Sequence, residues 1–208
     1  LRWRVEAEII HDLPLAIAAV LDRRIGDPSV HPPVPPELAD TGVNGFDPPL
    51  WPQDRFGDRY RRAIYIKLQR NFPFPTLNAF DCPNFNKMVV KRTISNSPQM
   101  ALTALNGQSF FKVARDFARR VLKEIPGGGN EQRLQAMGLL CLGRSLTDGE
   151  QDSLLAFWTS QHEAYRQDPP EATKIVNWNT GKMTSESAAA WVAVARVFLN
   201  LDEFITRP

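Results

Sequence analysis

The sequence lacks the motifs that identify most enzymes and the long apolar runs of membrane proteins. HExxH, GxSxG, GxGxxG and CxxCH are all missing, so we predict no metal site, no serine-hydrolase elbow, no dinucleotide site and no haem attached to this chain. His11, His31 and His162 are far apart in the sequence, which fits no metal-ligand spacing. A membrane-spanning helix needs roughly 20 uncharged apolar residues, and residues 188–199 are fewer and include Arg196.

The net charge is small, and there are only two cysteines. A formal net charge of +2 over 208 residues is too small to indicate binding to nucleic acid. Cys82 and Cys141 have no CxxC partner, so two buried thiols, one disulfide or one cysteine of each kind all fit the sequence. The 43% apolar and 23% charged fractions are typical of a globular chain that buries a sizeable core.

The first residues carry an amphipathic pattern. Apolar side chains at three- to four-residue spacing predict a helix over residues 3–21. Pro14 lies inside this pattern and predicts a kink or a break into two helices, and Gly26 is expected to end it. Because Leu1 starts within the pattern without a cap, we expect the chain to be a piece of a longer polypeptide.

Proline dominates the next segment. Residues 28–52 hold 8 of the 17 prolines, and proline fixes its own φ and restricts the residue before it, so we predict an extended and irregular course. Several apolar side chains predict that this segment packs on the domain surface: Val34, Leu38, Phe46, Leu50 and Trp51. Residues 60–70 fit either a strand or a helix, and a strand there paired with residues 87–94 would form a small β-hairpin.

Helical signals dominate from Ser97 onward. Ser97-Pro98 is a preferred helix start, and Asn106-Gly107 predicts a left-handed turn after it. Thr147 and Glu150 are spaced as a capping box. Helices are predicted over residues 97–105, 110–124, 130–142, 147–168 and 185–201, and the last is apolar almost all round, which predicts the most buried helix.

The predicted fold class is therefore mainly α. Residues 1–208 are expected to form a single domain in which a helix over residues 1–27 and a long, proline-rich irregular part over residues 28–96 precede a helical half over residues 97–208. The only β structure expected is the small hairpin within the irregular part.

The densest polar signature lies between residues 80 and 106. Its candidate residues, together with two nearby arginines, are Asp81, Arg92, Asn96, Gln99, Asn106, Arg62 and Arg70. In the structural interpretation Asp81 holds Arg92, and Asn96 with Ser97 caps the helix start, which orders an irregular loop. In the functional interpretation the set lines a pocket at a helix N-terminus for an anionic or carbohydrate-derived substrate.

Aromatic side chains between Trp51 and Phe85 support one more hypothesis. They are interleaved with arginines, as in a stacking surface for sugars or single-stranded nucleic acid. Phe72, Phe74, Phe80 and Phe85 also fit a simpler role, in which they hold the irregular segment to the core.

Four sequence blocks in a fixed order resemble a known family. They are YRRAIYIKLQRNFPFPTLNAFDCPN, RTISNSPQMALTALNGQSF, CLGRSLTDGE and AAAWVAVARVFLNLDEFITR. With these blocks the chain resembles the planctomycete-type C-terminal domain of unknown function (the domain of unknown function 1553 family), over nearly its whole length. In that family a c-type cytochrome domain usually lies upstream. Ser97 and Met100 stand where Thr and Leu are expected, and both keep the capping and apolar roles.

The resemblance implies an exported protein, periplasmic or extracellular, whose haem c lies on an upstream domain or partner. Export also favours a disulfide through Cys82 or Cys141. The family supplies no catalytic residues, so the leading hypothesis is a non-catalytic structural and interaction domain that docks against a cytochrome c domain or subunit and other domains of one assembly. The alternatives are an enzyme with a pocket at Asp81, Arg92, Asn96 and Gln99, and a glycan-binding module.

Overall fold

The structure is a computed structural model that describes residues 3–34, 51, 57–70, 72–83 and 87–207. Its helices in the described residues are α1 (Ala7–Ile17), α2 (Pro75–Ala79), α3 (Pro98–Asn106), α4 (Gln108–Glu124), α5 (Asn130–Leu142), α6 (Asp148–Gln167), α7 (Pro169–Val176), α8 (Ser185–Leu199) and α9 (Asp202–Ile205). Short 3₁₀ turns lie at Asp58–Tyr60 and Ala63–Tyr65, and the strands are β1 (Trp3–Arg4) and β2 (Thr206–Arg207). The predicted mainly α fold is confirmed. In the described part of the chain, no helix is both long and apolar enough to cross a membrane.

Helix α8 lies at the centre of the helical half. Ten of its 15 residues are buried, and its alanines let α4, α6 and α7 approach closely on several sides. The Thr184 hydroxyl caps its start by accepting a hydrogen bond from the Ser187 N–H at 3.3 Å. The prediction that this helix is deeply buried is confirmed.

The helices around α8 follow their sequence patterns. Helix α4 buries one face from Phe110 to Val121, and α5 has the predicted bounds. The capping box before α6 is formed, since the Glu150 N–H donates to the Thr147 hydroxyl at 3.4 Å and the Thr147 N–H donates to the Glu150 carboxylate at 2.8 Å. Residues from α1, α4, α5, α8 and α9 share what we call the helical core: Leu15, Ile17, Ala18, Val113, Ala114, Phe117, Ala118, Val121, Leu134, Met137, Leu146, Trp191, Val192, Val194, Ala195, Phe198, Leu199 and Phe204.

Helix α1 is shorter than predicted and is not broken by its proline. It continues through Pro14 and ends at Ile17, so the predicted break into two helices is wrong, and the helix ends well before Gly26. Pro14 lies in the last turn, where its missing N–H costs the helix a single hydrogen bond. Ala19 then takes a left-handed conformation (φ 57°) that turns the chain away.

The proline-rich half packs against its own group of buried residues, which we call the N-terminal core: Val5, Ala7, Ile10, Val34, Trp51, Ala63, Ile66, Phe74, Leu77, Phe80, Met100, Ala104 and Phe110. Val34 and Trp51 are buried here, as predicted. The Trp51 indole N–H donates to the Pro32 carbonyl at 2.8 Å, and its ring stacks on Phe74 at 5.7 Å. Leu38, Phe46 and Leu50 lie outside the described residues.

The only sheet among the described residues joins two distant parts of the chain. Trp3 pairs with Arg207 and Arg4 with Thr206. Residues 60–70 form a 3₁₀ turn and isolated bridges, and residues 87–94 contain no strand, so the predicted position of the β-hairpin is wrong. Strands of two residues have no sequence alternation to detect, because both their partner and their burial depend on the completed fold.

Gly107 joins α3 to α4 for a different reason than predicted. Its backbone is extended (φ −62°, ψ 132°), so the left-handed turn expected from Asn106-Gly107 is wrong. Glycine is required by close approach, because a methyl group on Gly107 would lie 2.5 Å from the Thr103 carbonyl oxygen. That oxygen belongs to the backbone of α3 and accepts the Gly107 N–H at 2.8 Å, so it cannot move without opening the junction.

We therefore expect Gly107→Ala to lower the free energy of unfolding by about 1–3 kcal/mol, the usual cost of forcing extra atoms into a packed site. Urea unfolding monitored by circular dichroism measures this. The matched control is Gly149→Ala in α6, where the added methyl group meets nothing within 4 Å and stability should stay constant or rise by up to about 1 kcal/mol. Equal unfolding midpoints for wild type and Gly107→Ala would contradict the steric explanation.

Candidate functional site

Asp81 is the centre of the predicted polar site. Its left-handed backbone (φ 61°) turns the chain after Phe80. One carboxylate oxygen accepts hydrogen bonds from the Arg4 guanidinium at 2.6 Å and from the Ser95 N–H at 2.7 Å, and the Ser95 hydroxyl also donates to it at 2.9 Å. The Arg4 side chain is only 5% exposed and also donates to the carbonyls of Phe80 and Ser95 at 3.1 and 3.0 Å. Asp81 therefore neutralises a buried cation.

Arg92 belongs to a separate ion pair. The predicted pairing of Arg92 with Asp81 is wrong, because Arg92 donates two hydrogen bonds to Glu8 of α1, at 2.7 and 3.0 Å. The physical reason is burial. Arg4 has lost its water and needs the carboxylate of Asp81, whereas the Arg92 side chain is 45% exposed and remains solvated.

Neither cysteine is poised for nucleophilic chemistry. Burial alone would raise the pKa of Glu8, but the hydrogen bonds and charge of Arg92 and a backbone hydrogen bond together outweigh burial and hold that pKa below its ordinary value. The Cys82 thiol lies 4.0 Å from Glu8, and burial together with the Glu8 charge raises the Cys82 pKa to about 11. Burial also raises the pKa of Cys141. Both residues are free thiols that stay protonated at neutral pH.

The remaining predicted residues are more dispersed. Asn96, Asn106 and Arg70 are exposed, and Arg62 donates to Asp12 of α1 at 3.4 Å. Ser97 precedes α3 as predicted, yet its side chain makes no capping hydrogen bond. The structure therefore brings Asp81 together with Ser95 and Arg4 but not with the other candidates.

Gln99 lines a groove of about 310 Å³ between α2, α3 and the start of α4. Among the described residues its polar lining is uncharged: Thr76, Asn78, Gln99, Thr103, Gln108 and Ser109. Neither Asp81 nor Arg92 belongs to this lining. The described residues of the groove therefore offer hydrogen bonds to a ligand but no opposite charge to an anionic one.

The aromatic residues of the irregular half face inward. Trp51, Phe74 and Phe80 are buried and Phe72 is partly buried against the N-terminal core, while Phe85 lies outside the described residues. A stacking surface requires accessible ring faces. These buried rings hold the irregular segment to the core and do not form the predicted glycan platform.

The histidines are also separated in space. The His11 ring bonds Asp12 at 3.0 Å, His31 packs edge-on against Trp51, and His162 stacks on Trp158 at 5.0 Å. Across the ranges that the structure describes, no group of three or more His, Cys, Asp and Glu side chains could hold a metal ion.

Arg144 forms a junction that sequence reasoning missed, although the block CLGRSLTDGE contains it. Its guanidinium donates to Glu150 at the start of α6 and to Glu203 in α9, at 2.8 and 2.7 Å. The hydrogen bonds from Arg144, followed by that from the Thr147 N–H, lower the pKa of Glu150 to about 2. The capping box at Glu150 could be detected from the sequence, but the contact between Arg144 and the distant Glu203 could not.

The Arg4 and Asp81 pair is predicted to be much more important for stability than the Arg92 and Glu8 pair. Asp81→Asn leaves a buried guanidinium without its counter-charge, and we expect a loss of about 3 kcal/mol in the free energy of unfolding. The matched control, Glu8→Gln, breaks a more exposed pair and should cost less than about 1 kcal/mol. Chemical unfolding at neutral pH compares them, and equal losses would show that Asp81 has no special role.

A second prediction concerns the stability of the fold at low pH. Because the folded pKa of Glu150 is lower than its ordinary value of 4.5, its ionised form stabilises the fold above pH 4.5, and this stabilisation is lost as the pH falls towards about 2. The difference in unfolding free energy between wild type and Glu150→Gln should shrink across this window. In an Arg144→Gln background most of this pH dependence should disappear, and its persistence there would assign the low pKa to another cause.

Comparison with known proteins assigns the chain to a family. No curated protein and no solved structure matches the chain. The family model described as PSD1, protein of unknown function (DUF1553), matches residues 1–158, which is more than half of the sequence. The match includes α1 to α5, the Arg4 and Asp81 pair and the capping box at the start of α6. The chain therefore belongs to the DUF1553 family of proteins of unknown function.

Proposed function

We propose that this chain is a non-catalytic structural and interaction domain of an exported, cytochrome-c-associated multidomain protein. The observation that carries the proposal is the exposure of residues 87–94, which we call the docking segment. All eight of its residues are exposed, and Met88 and Val90 are as exposed as in an unfolded chain. Contiguous exposed apolar side chains are typical of surfaces that bind another protein.

The backbone of the docking segment, as well as its side chains, can contact a partner. It contains no helix or strand, so an extended partner segment can pair with its N–H and C=O groups. Burying Met88 or Val90 against a partner would contribute roughly 1.5–3 kcal/mol for each side chain, and Val89 and Ile94, which are about half exposed, would contribute less. These contributions favour contact with another domain of the same polypeptide.

One end of the docking segment is already fixed to the domain. Arg92 is held by Glu8, and Ser95 immediately beyond the segment is held by Asp81. Anchoring of this kind lowers the conformational entropy that is lost on binding. Asp81 and Arg92, which the sequence suggested as pocket residues, thus hold the docking segment in place on the domain.

The charge of the docking segment defines its partner. Lys87, Lys91 and Arg92 are basic and no residue of the segment is acidic, which favours an acidic surface with an apolar centre. The resemblance to a family with an upstream c-type cytochrome makes that domain, or a neighbouring domain of the same assembly, the proposed partner. Periplasmic or extracellular localisation rests on the same resemblance.

Haem c would be held by the partner. Covalent haem attachment uses CxxCH, which this sequence lacks. Cys82 and Cys141 lie beside different cores, and burial keeps both thiols protonated. The residues of this chain therefore do not fit the group, and no step of the proposed function passes through it.

Cross-linking of the full-length protein tests the proposal. A lysine-reactive cross-linker should join Lys87 or Lys91 to another domain of the same polypeptide. Met88→Ser combined with Val90→Ser should reduce these cross-links by at least about tenfold, because apolar contact area is lost. The control is Leu139→Ser, at an apolar site on α5 that is 60% exposed, which should change nothing. Cross-links that survive the double substitution, or their absence in wild type, would overturn the proposal.

A further inference from the structure

A small, half-open pocket lies away from the docking segment. Its volume is about 50 Å³, and it lies between α1, α4 and the 3₁₀ turn at Asp58–Tyr60. Its floor is apolar and consists mainly of Ile10, Pro14, Leu15, Phe110 and Val113. Arg59 and Lys112 also line it, so an apolar floor and two cationic side chains occur at one site.

The two cations have no ion-pair partner in the described part of the chain. The described ion pairs nearest to them in sequence join Arg61 to Asp27, Arg62 to Asp12 and Arg120 to Glu124. Burial, followed by the charges of Arg59 and Arg115, lowers the pKa of Lys112. Arg59 and Lys112 are therefore close enough to repel each other, and an anion between them would remove this repulsion.

A described carboxylate beside the pocket is already engaged. Asp116 accepts a hydrogen bond from Tyr60, which also lines the pocket, at 3.5 Å. Burial raises the pKa of Asp116, and the cations that oppose this rise are Arg115 and Arg119, not Lys112. His11, which also lines the pocket, forms a hydrogen bond with Asp12. No carboxylate of the described residues therefore offsets the neighbouring positive charges at Lys112.

Size and polarity define the ligand. A pocket of 50 Å³ has room for about three to five non-hydrogen atoms, at roughly 10–15 Å³ for each water-sized probe. The floor favours an alkyl group, whereas phosphate would lose much of its hydration there without compensation. We propose that this pocket binds a free short-chain monocarboxylate, with its alkyl group on the apolar floor and its carboxylate between Arg59 and Lys112.

Calorimetric titration of the intact chain with sodium propionate at constant ionic strength tests the site. Propionate should bind with saturation, and propionamide of the same size should bind at least about tenfold more weakly because it lacks the charge. Arg59→Met and Lys112→Met should each weaken propionate binding by about tenfold or more. Lys123→Met is the matched control, since Lys123 is exposed near the end of the same helix and does not line the pocket.

Methyl resonances locate the ligand independently of affinity. Propionate should shift the NMR signals of Val113 and Leu15 in wild type, and the Lys112→Met protein, if folded, should lose these shifts. Equal binding of propionate and propionamide, tighter binding of inorganic phosphate, or no saturation would overturn the proposal. Tighter binding of a peptide that ends in a free alanine carboxylate would also overturn it, because the ligand would then be a polypeptide end. None of these outcomes involves the docking segment.

Discussion

The N-terminal half depends on the hydrogen bonds and the ion pair of the buried Arg4 guanidinium. It is almost completely buried and reaches the Phe80 carbonyl, the Ser95 carbonyl and the Asp81 carboxylate. A buried cation is tolerated only when its charge and its N–H groups are satisfied. The turn after Phe80 and the segment at Ser95 must therefore meet at this point, and an irregular chain acquires a fixed course without long helices or strands.

Two helices connect this half to the rest of the molecule. Helix α1 places Ala7 and Ile10 in the N-terminal core and its last residues in the helical core. Helix α4 does the same, with Phe110 in the N-terminal core and Phe117 in the helical core. Because packed interiors resist small displacements, these two shared helices fix the position of one core relative to the other. The proposed carboxylate pocket lies where α1 and α4 meet.

Local patterns in the sequence were sufficient for the helical half. Helix α5 and the capping box of α6 were predicted correctly because their signals lie within a few residues of each other. The candidate site was predicted only in its residue types. Asp81 was recognised as important but assigned to Arg92, and the choice between Arg92 and Arg4 depends on burial, which only the folded structure reveals. The Asn106-Gly107 pair predicted a left-handed turn that does not form. Glycine is required there because a Cβ atom on Gly107 would lie too close to the Thr103 carbonyl oxygen, not because of the backbone angle.

The pairing of β1 with β2 has a consequence for the order of folding. The ion pair between Arg207 and Glu6 beside it joins residues 201 positions apart. Loop closure over such a separation costs only slightly more entropy than over a shorter one, but contacts of this kind slow folding. A ribosome releases β1 long before its partner exists, so the strands can pair only after nearly all of this sequence has been synthesised. The small sheet can thus form only late in synthesis, once the helices between its two strands have been made.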